Sequence, residues 1–230
     1  MYFDKKIVNA IFLRRPNRFQ AYVKLRDEEI MVHVPNTGRC KEILTTGTTV
    51  LLREELGEHR KTAYDLIAGY KGKQLINIDS QIPNKVVFEA LKNKKILNLE
   101  KYNIIEREKT FGNSRFDFKL SNDLGEEYYL EVKGVTYEEN GVVMFPDAPT
   151  ERGKKHLLEL IEAKKQGKGA GVLFLIQLDN VRYFTPYKDM DPNFSAALKL
   201  VVESGVDVMA YCCYVTEHSI TLKEIVRVKI

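Results

Sequence analysis

The sequence contains few cysteines and no long apolar run. Three cysteines occur in 230 residues, and Cys212 and Cys213 are adjacent in a strand-like segment, where neighbours point to opposite faces. We therefore expect reduced thiols in a core strand rather than a disulfide framework. No tract is apolar enough to cross a bilayer, and the charged start MYFDKK is unlike a secretory signal. The expectation is a cytoplasmic protein with no membrane contact.

The chain also lacks paired metal ligands and a strong excess of one charge. Its four histidines form no short-spaced pair with a cysteine or with each other, so a structural zinc site has little support: His33, His59, His156 and His218. The net charge is +4, with 14 Lys and Arg against 10 Asp and Glu in residues 1–83 and 22 against 22 thereafter. This small basic surplus is compatible with weak attraction to phosphate or with an ordinary surface.

The residues that are present divide into two patterns near Pro83, and we predict domains over 1–83 and 84–230. The first part contains short runs of β-branched and aromatic residues separated by turn-like stretches. These runs are IVNAIFL, FQAYVKL, EIMVHV, TVLLRE and QLINI. With one short helical piece, RCKEIL, between the third and fourth runs, they predict an OB-like β-barrel, a frequent oligonucleotide-binding platform.

The second part mixes helical periodicity with strands. The predicted elements are a helix capped by Asn84, strands near 103–109, 115–121 and 127–137, a helix from Thr150 through 166, a buried strand in GVLFLIQL, a helix from Asp191-Pro192, and strands near 206–215 and 219–229. The first three strands are expected to form an antiparallel meander. This order predicts an α/β or α+β domain with a mixed sheet flanked by helices.

The hairpin FDFKLSNDLGEEYYLEVKG places charged residues on adjacent strands. If residue 121 pairs with 127, Asp117 lies directly across from Glu131, with their Cβ atoms about 5 Å apart. Facing carboxylates destabilise a sheet, so they need a compensating cation, which is Lys133, Arg115 or a divalent metal. Mg²⁺ or Mn²⁺ held by Asp117 and Glu131 would activate water for phosphodiester hydrolysis, assisted by Lys133. The alternative is a solvated hairpin face with a cross-strand ion pair of small energy.

Candidate nucleic-acid contacts occur in both predicted domains. Arg14, Arg15 and Arg18, beside Phe19, form either a cationic stacking surface or solvated loop charges. In HVPNTG, His33 and Asn36 lie either on the binding face of the barrel or in a simple turn.

Two further stretches of the second domain are ambiguous in the same way. Arg152, in PDAPTERGKKH, follows Thr150 at a helix start that is suited to a phosphate, or belongs to an ordinary capped helix. Arg115 precedes the first acid of the hairpin and is a further candidate contact. Gln177 either orders metal-bound water or is a satisfied buried amide.

The order of these motifs resembles two known groupings. An acid 14 residues before E-x-K, between a helix and a helix-strand unit, resembles the PD-(D/E)xK nuclease superfamily. The literal Pro146-Asp147 lies downstream of E-x-K, so Phe116-Asp117 fills that position. The further motifs HVPNTG, QIPNKVVFEAL, SRFDF, LEVKGVT, MFPDAPTERGKKHLLEL and DPNF identify the chain as a member of the sugar fermentation stimulation protein (SfsA) family. The resemblance implies an OB-like domain, a nuclease-like domain and binding to DNA.

The prediction is a two-domain DNA-binding protein with a metal-dependent, nuclease-like site. Its alternative is a DNA-binding regulator of sugar-metabolism genes whose acidic site has no turnover. A sugar-linked metabolic enzyme would require a concave pocket lined by sugar-binding groups, and the sequence contains no such constellation.

Overall fold

The N-terminal part of the chain folds into a six-stranded sheet, in a computed structural model that describes residues 1–57 and 60–230. The strands are β1 Ile7–Asn17, β2 Gln20–Leu25, β3 Glu28–His33, β4 Thr49–Glu54, β5 Tyr64–Lys71 and β6 Gln74–Asn77. Their order is β3-β2-β1-β4-β5-β6. One parallel bridge, His33 to Asp65, also joins β3 to β5, so the sheet returns on itself as in a partly open barrel.

The prediction for this part missed strand β5. Asp65 and Gly69 interrupt its β-branched pattern, and both residue types are depleted in strands. Asp65 is nevertheless buried, because its carboxylate pairs with Arg53 and Arg60. Gly69 allows a close approach, since a Cβ there would lie 2.9 Å from Cγ2 of Ile43. Tertiary contacts thus override both local signals.

The prediction that RCKEIL forms a short helical piece is wrong. Residues 41–43 form turns, in which the carbonyl of Cys40 accepts the N–H of Ile43 at 3.2 Å and that of Leu44 at 2.9 Å. Cys40 has a φ of +46°, and this left-handed conformation prevents a right-handed helix from continuing through it.

The C-terminal part is built on a second six-stranded sheet. Its strands are β7 Ile104–Phe111, β8 Ser114–Ser121, β9 Glu127–Val135, β12 Gly169–Ile176, β14 Asp207–Val215 and β15 Ile220–Ile225. The order is β15-β14-β12-β9-β8-β7. The predicted meander is confirmed, since β7, β8 and β9 pair antiparallel. Strand β12 is parallel to both of its neighbours, which makes the sheet mixed.

Three helices cover this sheet on its two faces. They are α1 Ile82–Lys92, α2 Glu151–Lys165 and α3 Pro192–Glu203. Neighbouring side chains of the central strand β12 point to opposite faces. Phe174 lies in the core cluster of α2 and α3, whereas Leu173 lies in that of α1. The cluster on the α2 and α3 side continues into the first sheet and includes Val32. No helix in the described ranges has the length and apolar character that a membrane span requires.

Two local features differ from expectation and position the candidate site. Helix α1 begins at Ile82 rather than after Asn84, and Gln81 caps it without a side-chain hydrogen bond. Asn84 is therefore free to use its side chain elsewhere. An unpredicted small sheet also forms from β10 Glu138–Glu139, β11 Val142–Phe145 and β13 Tyr183–Pro186. Strand β11 of this sheet precedes α2. At the start of α2, Thr150 accepts the N–H of Gly153 at 3.0 Å, as the predicted cap requires.

Candidate functional site

Asp117 and Glu131 come from the paired strands β8 and β9. The strands align with Ser121 opposite Glu127, which is the register that the hairpin spacing predicts. Asp117 lies against β9, and its Oδ2 accepts the backbone N–H of Val132 at 2.7 Å. The two acids therefore line one cavity.

Glu131 is buried and asymmetrically hydrogen-bonded. Only 3% of the residue is exposed. Its Oε1 accepts from the Lys133 Nζ at 2.6 Å and lies 2.5 Å from Nδ1 of His156, whereas its Oε2 is buried and has no hydrogen-bond partner among the described residues. Burial acts to raise the pKa of Glu131, but His156 and Lys133 outweigh it and hold that pKa below the usual range. Glu131 is thus ionised, and its Oε2 accepts no hydrogen bond from the described residues.

Asp117 has the opposite electrostatic setting. Its Oδ1 accepts from Nδ2 of Asn84 at 2.6 Å, which is the role that Asn84 performs in place of helix capping. Burial, followed by the nearby charge of Glu131, raises the pKa of Asp117 to about 6. The two facing acids therefore differ in proton affinity, as expected for like charges in a partly desolvated site.

The cavity around these acids has a volume of about 240 Å³. Three of the candidate residues from the sequence, Lys133, Arg115 and Arg152, line it together with Glu108. Arg115 pairs with Glu108, with Nε at 2.9 Å from Oε2. Glu108 has a φ of +55° at a point where the β7–β8 register omits a pair. Glu108 thus adds a third carboxylate to the cavity wall, at a local irregularity of β7.

Helix α2 contributes His156 and Arg152 to the same cavity. His156 is 6% exposed, and the edge of its ring packs on Phe116 with centroids 6.0 Å apart. The Nε of Arg152 lies 3.5 Å from the second ring nitrogen of His156. Because Nδ1 of His156 contacts the ionised Glu131, this histidine has a polar partner as well as an apolar one.

A larger groove of about 880 Å³ adjoins the cavity. Ser80 and Gly134 line both spaces. One wall of the groove comes from the first sheet and its loops, and the other comes from the segment that leads into α2. Its cationic lining residues are Arg14, Arg15, Arg18, Arg39 and Lys41.

The three predicted arginines differ in how far they are already engaged. Arg14 forms two hydrogen bonds with Glu29 and stacks on Tyr22, with 4.0 Å from its guanidinium carbon to the ring centroid. Arg15 donates to four backbone carbonyls, which ties β1 to the loop after β3. Arg18 is exposed and makes no side-chain hydrogen bond within the described residues.

His33 and Asn36 do not lie together on one binding face. His33 lies outside the groove, and its Nδ1 is 2.8 Å from Oδ1 of the buried Asp65. Asn36 lines the groove, but its side chain is engaged: it accepts from the N–H of Gly38 within the turn at 2.6 Å and donates to the carbonyl of Ile78, after β6, at 2.6 Å.

Gln177 is a buried amide, 2% exposed. Its Nε2 donates to Oδ1 of Asn77 at 2.8 Å, and the carbonyl oxygens of Asn77 and Asp79 lie within 3.2 Å. Since Asn77 belongs to the first sheet and Gln177 follows β12, this cluster joins the two halves of the chain beside the groove.

Several lining residues were not assigned to the site from sequence, among them Asn84, Glu108, Arg39 and Lys41. Asn84 was interpreted as a helix cap, and Glu108 depends on a strand irregularity that has no sequence signal. Arg39 and Lys41 lie in the segment that was predicted to be helical. The run RCK directly after HVPNTG was the available signal, because cations that follow a turn are exposed in most folds.

Comparison with known families covers both parts of the chain. The family model described as the SfsA N-terminal OB domain matches residues 13–78, and that of the sugar fermentation stimulation protein RE domain matches residues 81–219. The matches agree with an OB domain followed by a mixed-sheet domain.

Relatives of known sequence or structure match over the whole length. A sugar fermentation stimulation protein homolog of Clostridium tetani is 68% identical over 228 residues and covers 99% of each chain. One from Clostridium botulinum, strain Langeland, is 65% identical over 230 residues, covering 100% of both. The structure of Pyrococcus furiosus SfsA in complex with Ca²⁺ is similar, with a TM-score of 0.90 and 31% identity, over 100% of this chain and 98% of that one.

Proposed function

Because the chain belongs to the sugar fermentation stimulation protein family, we propose that it binds DNA and hydrolyses phosphodiester bonds with a divalent cation. The observation that carries this proposal is the buried Glu131 Oε2, which has no hydrogen-bond partner in the part of the chain that the structure describes and belongs to a side chain that lines one cavity with Asp117.

The donor set fits a hard divalent cation. A buried acceptor without a partner costs about 1–3 kcal/mol, and an ion bound to Oε2 would remove that cost. Oxygen donors from two carboxylates suit Mg²⁺ or Mn²⁺, which retain waters at their other positions. The similar P. furiosus protein was solved in complex with Ca²⁺, which is also an oxygen-seeking ion. Asp117 and Glu131 would hold the ion here, and when bound it would make water more acidic and screen the charge of a phosphate.

The protein's own groups orient these two acids. Asn84 and the N–H of Val132 hold one oxygen each of Asp117. Lys133 and His156 both engage Oε1 of Glu131, which leaves Oε2 as the available ligand. Lys133 also carries a positive charge at the cavity wall, where it would stabilise negative charge that develops on the phosphate.

The groove supports the binding half of the proposal. Arg18, Arg39 and Lys41 line it, and cations at this position would contact phosphates as the strand approaches the cavity. Arg115 and Arg152 line the cavity itself and would continue this path.

The second candidate is a DNA-binding regulator with no turnover. The Lys133–Glu131 ion pair, 2.6 Å between Nζ and Oε1, favours the regulator. A lysine that already neutralises Glu131 performs a structural role. In that case the site needs no metal, and only the groove functions.

A cleavage assay separates the two candidates. Labelled single-stranded, duplex and branched DNA is incubated with wild type, Asp117→Ala and the control Glu139→Gln, whose carboxylate is exposed and does not line the cavity. The nuclease proposal predicts cleavage by wild type and Glu139→Gln with Mg²⁺ or Mn²⁺, and none by Asp117→Ala or with EDTA. Equal inactivity of all three proteins, with DNA binding retained, would support the regulator.

A further inference from the structure

We infer that the groove binds a single strand of nucleic acid and delivers it to the cavity of Asp117 and Glu131. This inference names the substrate class of the site and rests on the proposed function for what happens at the acids. Binding of the strand is inferred from the residues of the groove alone.

The size of the groove suits a short stretch of unpaired nucleotides. Its volume of about 880 Å³ lies at the upper end of the range for small-ligand sites, about 300–1,000 Å³.

The charges on the groove are arranged for a phosphate backbone. Arg18, Arg39 and Lys41 are exposed and have no side-chain hydrogen bond or ion pair within the described ranges. They differ in this respect from Arg14 and Arg15, which Glu29 and backbone carbonyls already occupy. Asp147 also lines the groove and lies near Arg39, but the three cations on the first domain's side outnumber it and are available to neutralise phosphates.

The opposite side of the groove offers surfaces for bases. Tyr137 lines it and is half-buried. The ring of Tyr137 stacks on Tyr187, with centroids 5.1 Å apart, which fixes its orientation. Phe145 also lines the groove, but its ring packs on Phe174 and Phe194. An aromatic side chain opposite a cationic edge is the combination by which single strands are bound without sequence preference.

The groove and the cavity meet at Ser80 and Gly134, which line both spaces. Gly134 follows Lys133 on β9, and a Cβ there would lie 2.6 Å from Oε1 of Gln177 and 2.7 Å from Cγ of Pro83, so a larger residue does not fit. Because the two spaces share these residues, a strand bound in the groove would lead into the cavity of Asp117 and Glu131.

The test measures binding without catalysis. Fluorescence anisotropy in EDTA follows a labelled single strand of about 12 nucleotides, the duplex of the same sequence, and an abasic strand of the same length. Wild type is compared with the groove variant Arg18→Ala/Arg39→Ala/Lys41→Ala. The control variant is Lys6→Ala/Lys73→Ala/Lys95→Ala, which removes the same number of exposed cations outside the groove.

We expect wild type and the control to bind the single strand at least about tenfold tighter than the duplex or the abasic strand. The groove variant should lose at least about tenfold in affinity, and its slope of log affinity against log salt should fall by about 2. Circular dichroism verifies that both variants are folded. If the groove variant does not fold, the comparison of the three ligands on wild type still decides.

The outcomes distinguish this inference from the proposed function. Preference for duplex, equal binding of the abasic strand, or unchanged binding by the groove variant would each overturn the single-strand groove. Cleavage of duplex by wild type and the groove variant alike would overturn it too, while the proposed function stands. Groove-dependent binding of the single strand without cleavage in Mg²⁺ or Mn²⁺ would leave the groove intact and refute hydrolysis.

Discussion

Asp117 and Glu131 show how two identical functional groups acquire different proton affinities. Glu131 is more fully buried, yet His156 and Lys133 keep its pKa below the usual range. Asp117 receives only neutral N–H donors, from Asn84 and Val132, so burial and the neighbouring negative charge dominate. The identity of the donor therefore decides the direction of the shift, because charged donors stabilise a carboxylate more strongly than neutral ones do.

Asp117→Asn should stabilise the metal-free protein at alkaline pH. The pKa of Asp117 is raised to about 6, so its contribution to stability is present below its unfolded pKa and is lost as pH rises through the folded one. Replacing it by an amide removes this loss, which is at most about 3 kcal/mol. The amide oxygen still accepts from Val132, and Asn84 can rotate to present its own oxygen.

Urea unfolding in EDTA at about pH 5 and about pH 8 measures this effect. The control is Asp123→Asn, which changes an exposed acid that accepts from Asn103 and should alter stability equally at both pH values. A gain for Asp117→Asn that does not increase with pH would contradict the electrostatic account.

At the scale of elements, helix α2 forms a second wall of the cavity, and its N-terminus is joined to that of α3. Asp191 caps α3 through Oδ1, which accepts the N–H of Phe194 at 2.9 Å, and its Oδ2 accepts the N–H of Thr150 at 2.8 Å. Thr150 in turn caps α2. One buried carboxylate therefore couples the starts of the two helices on this face, and α2 holds His156 against Glu131.

Asp191→Ala should destabilise the protein more than Thr150→Ala does. The first change leaves two N–H groups without their acceptor and should cost about 2–3 kcal/mol, whereas the second removes one cap and should cost about 1 kcal/mol. Urea unfolding gives both values, with the neighbouring exposed Asp189→Ala as a control near zero. Equal losses for Asp191→Ala and Thr150→Ala would show that the bond to Thr150 contributes nothing.

Elements with strong local signals were predictable from sequence, and the rest depended on tertiary contacts. The hairpin register followed from alternation and loop length, so Asp117 and Glu131 could be paired in advance. Thr150 was predictable as a cap because threonine is a favoured N-cap residue and a helical pattern follows it. Strand β5 was not, because Asp65 becomes acceptable in a strand only once Arg53 and Arg60 surround it. Asn84 lost its predicted role because α1 starts three residues earlier, with Gln81 rather than Asn84 at the N-cap.

The two domains are joined by polar contacts as well as by a shared core. The N–H of Asn77 donates to the carbonyl of Gln177 at 3.0 Å, and the Gln177 side chain returns hydrogen bonds to Asn77 and Asp79. One core cluster includes Val32 of the first sheet and Phe174 of the second. The groove has a wall from each domain, so these contacts also fix its width.

We therefore expect the whole chain to unfold in one cooperative transition. Two buried free cysteines report on the domains separately, since Cys40 belongs to the first and Cys213 to the second. Burial raises the pKa of Cys40 to about 12, and a buried thiol reacts only after it is exposed. Alkylation in increasing urea, followed by mass spectrometry, should give the same midpoint for both thiols.

Gln177→Ala should lower both midpoints together. The change leaves buried oxygens of Asn77 and Asp79 without their donor, which should cost about 2–3 kcal/mol, while the shared apolar core still couples the domains. Gln166→Ala, at an exposed position after α2, is the matched control and should leave both midpoints unchanged. If Cys40 became reactive at a lower urea concentration than Cys213, the domains would unfold independently, and the width of the groove would have to be set by something other than these contacts.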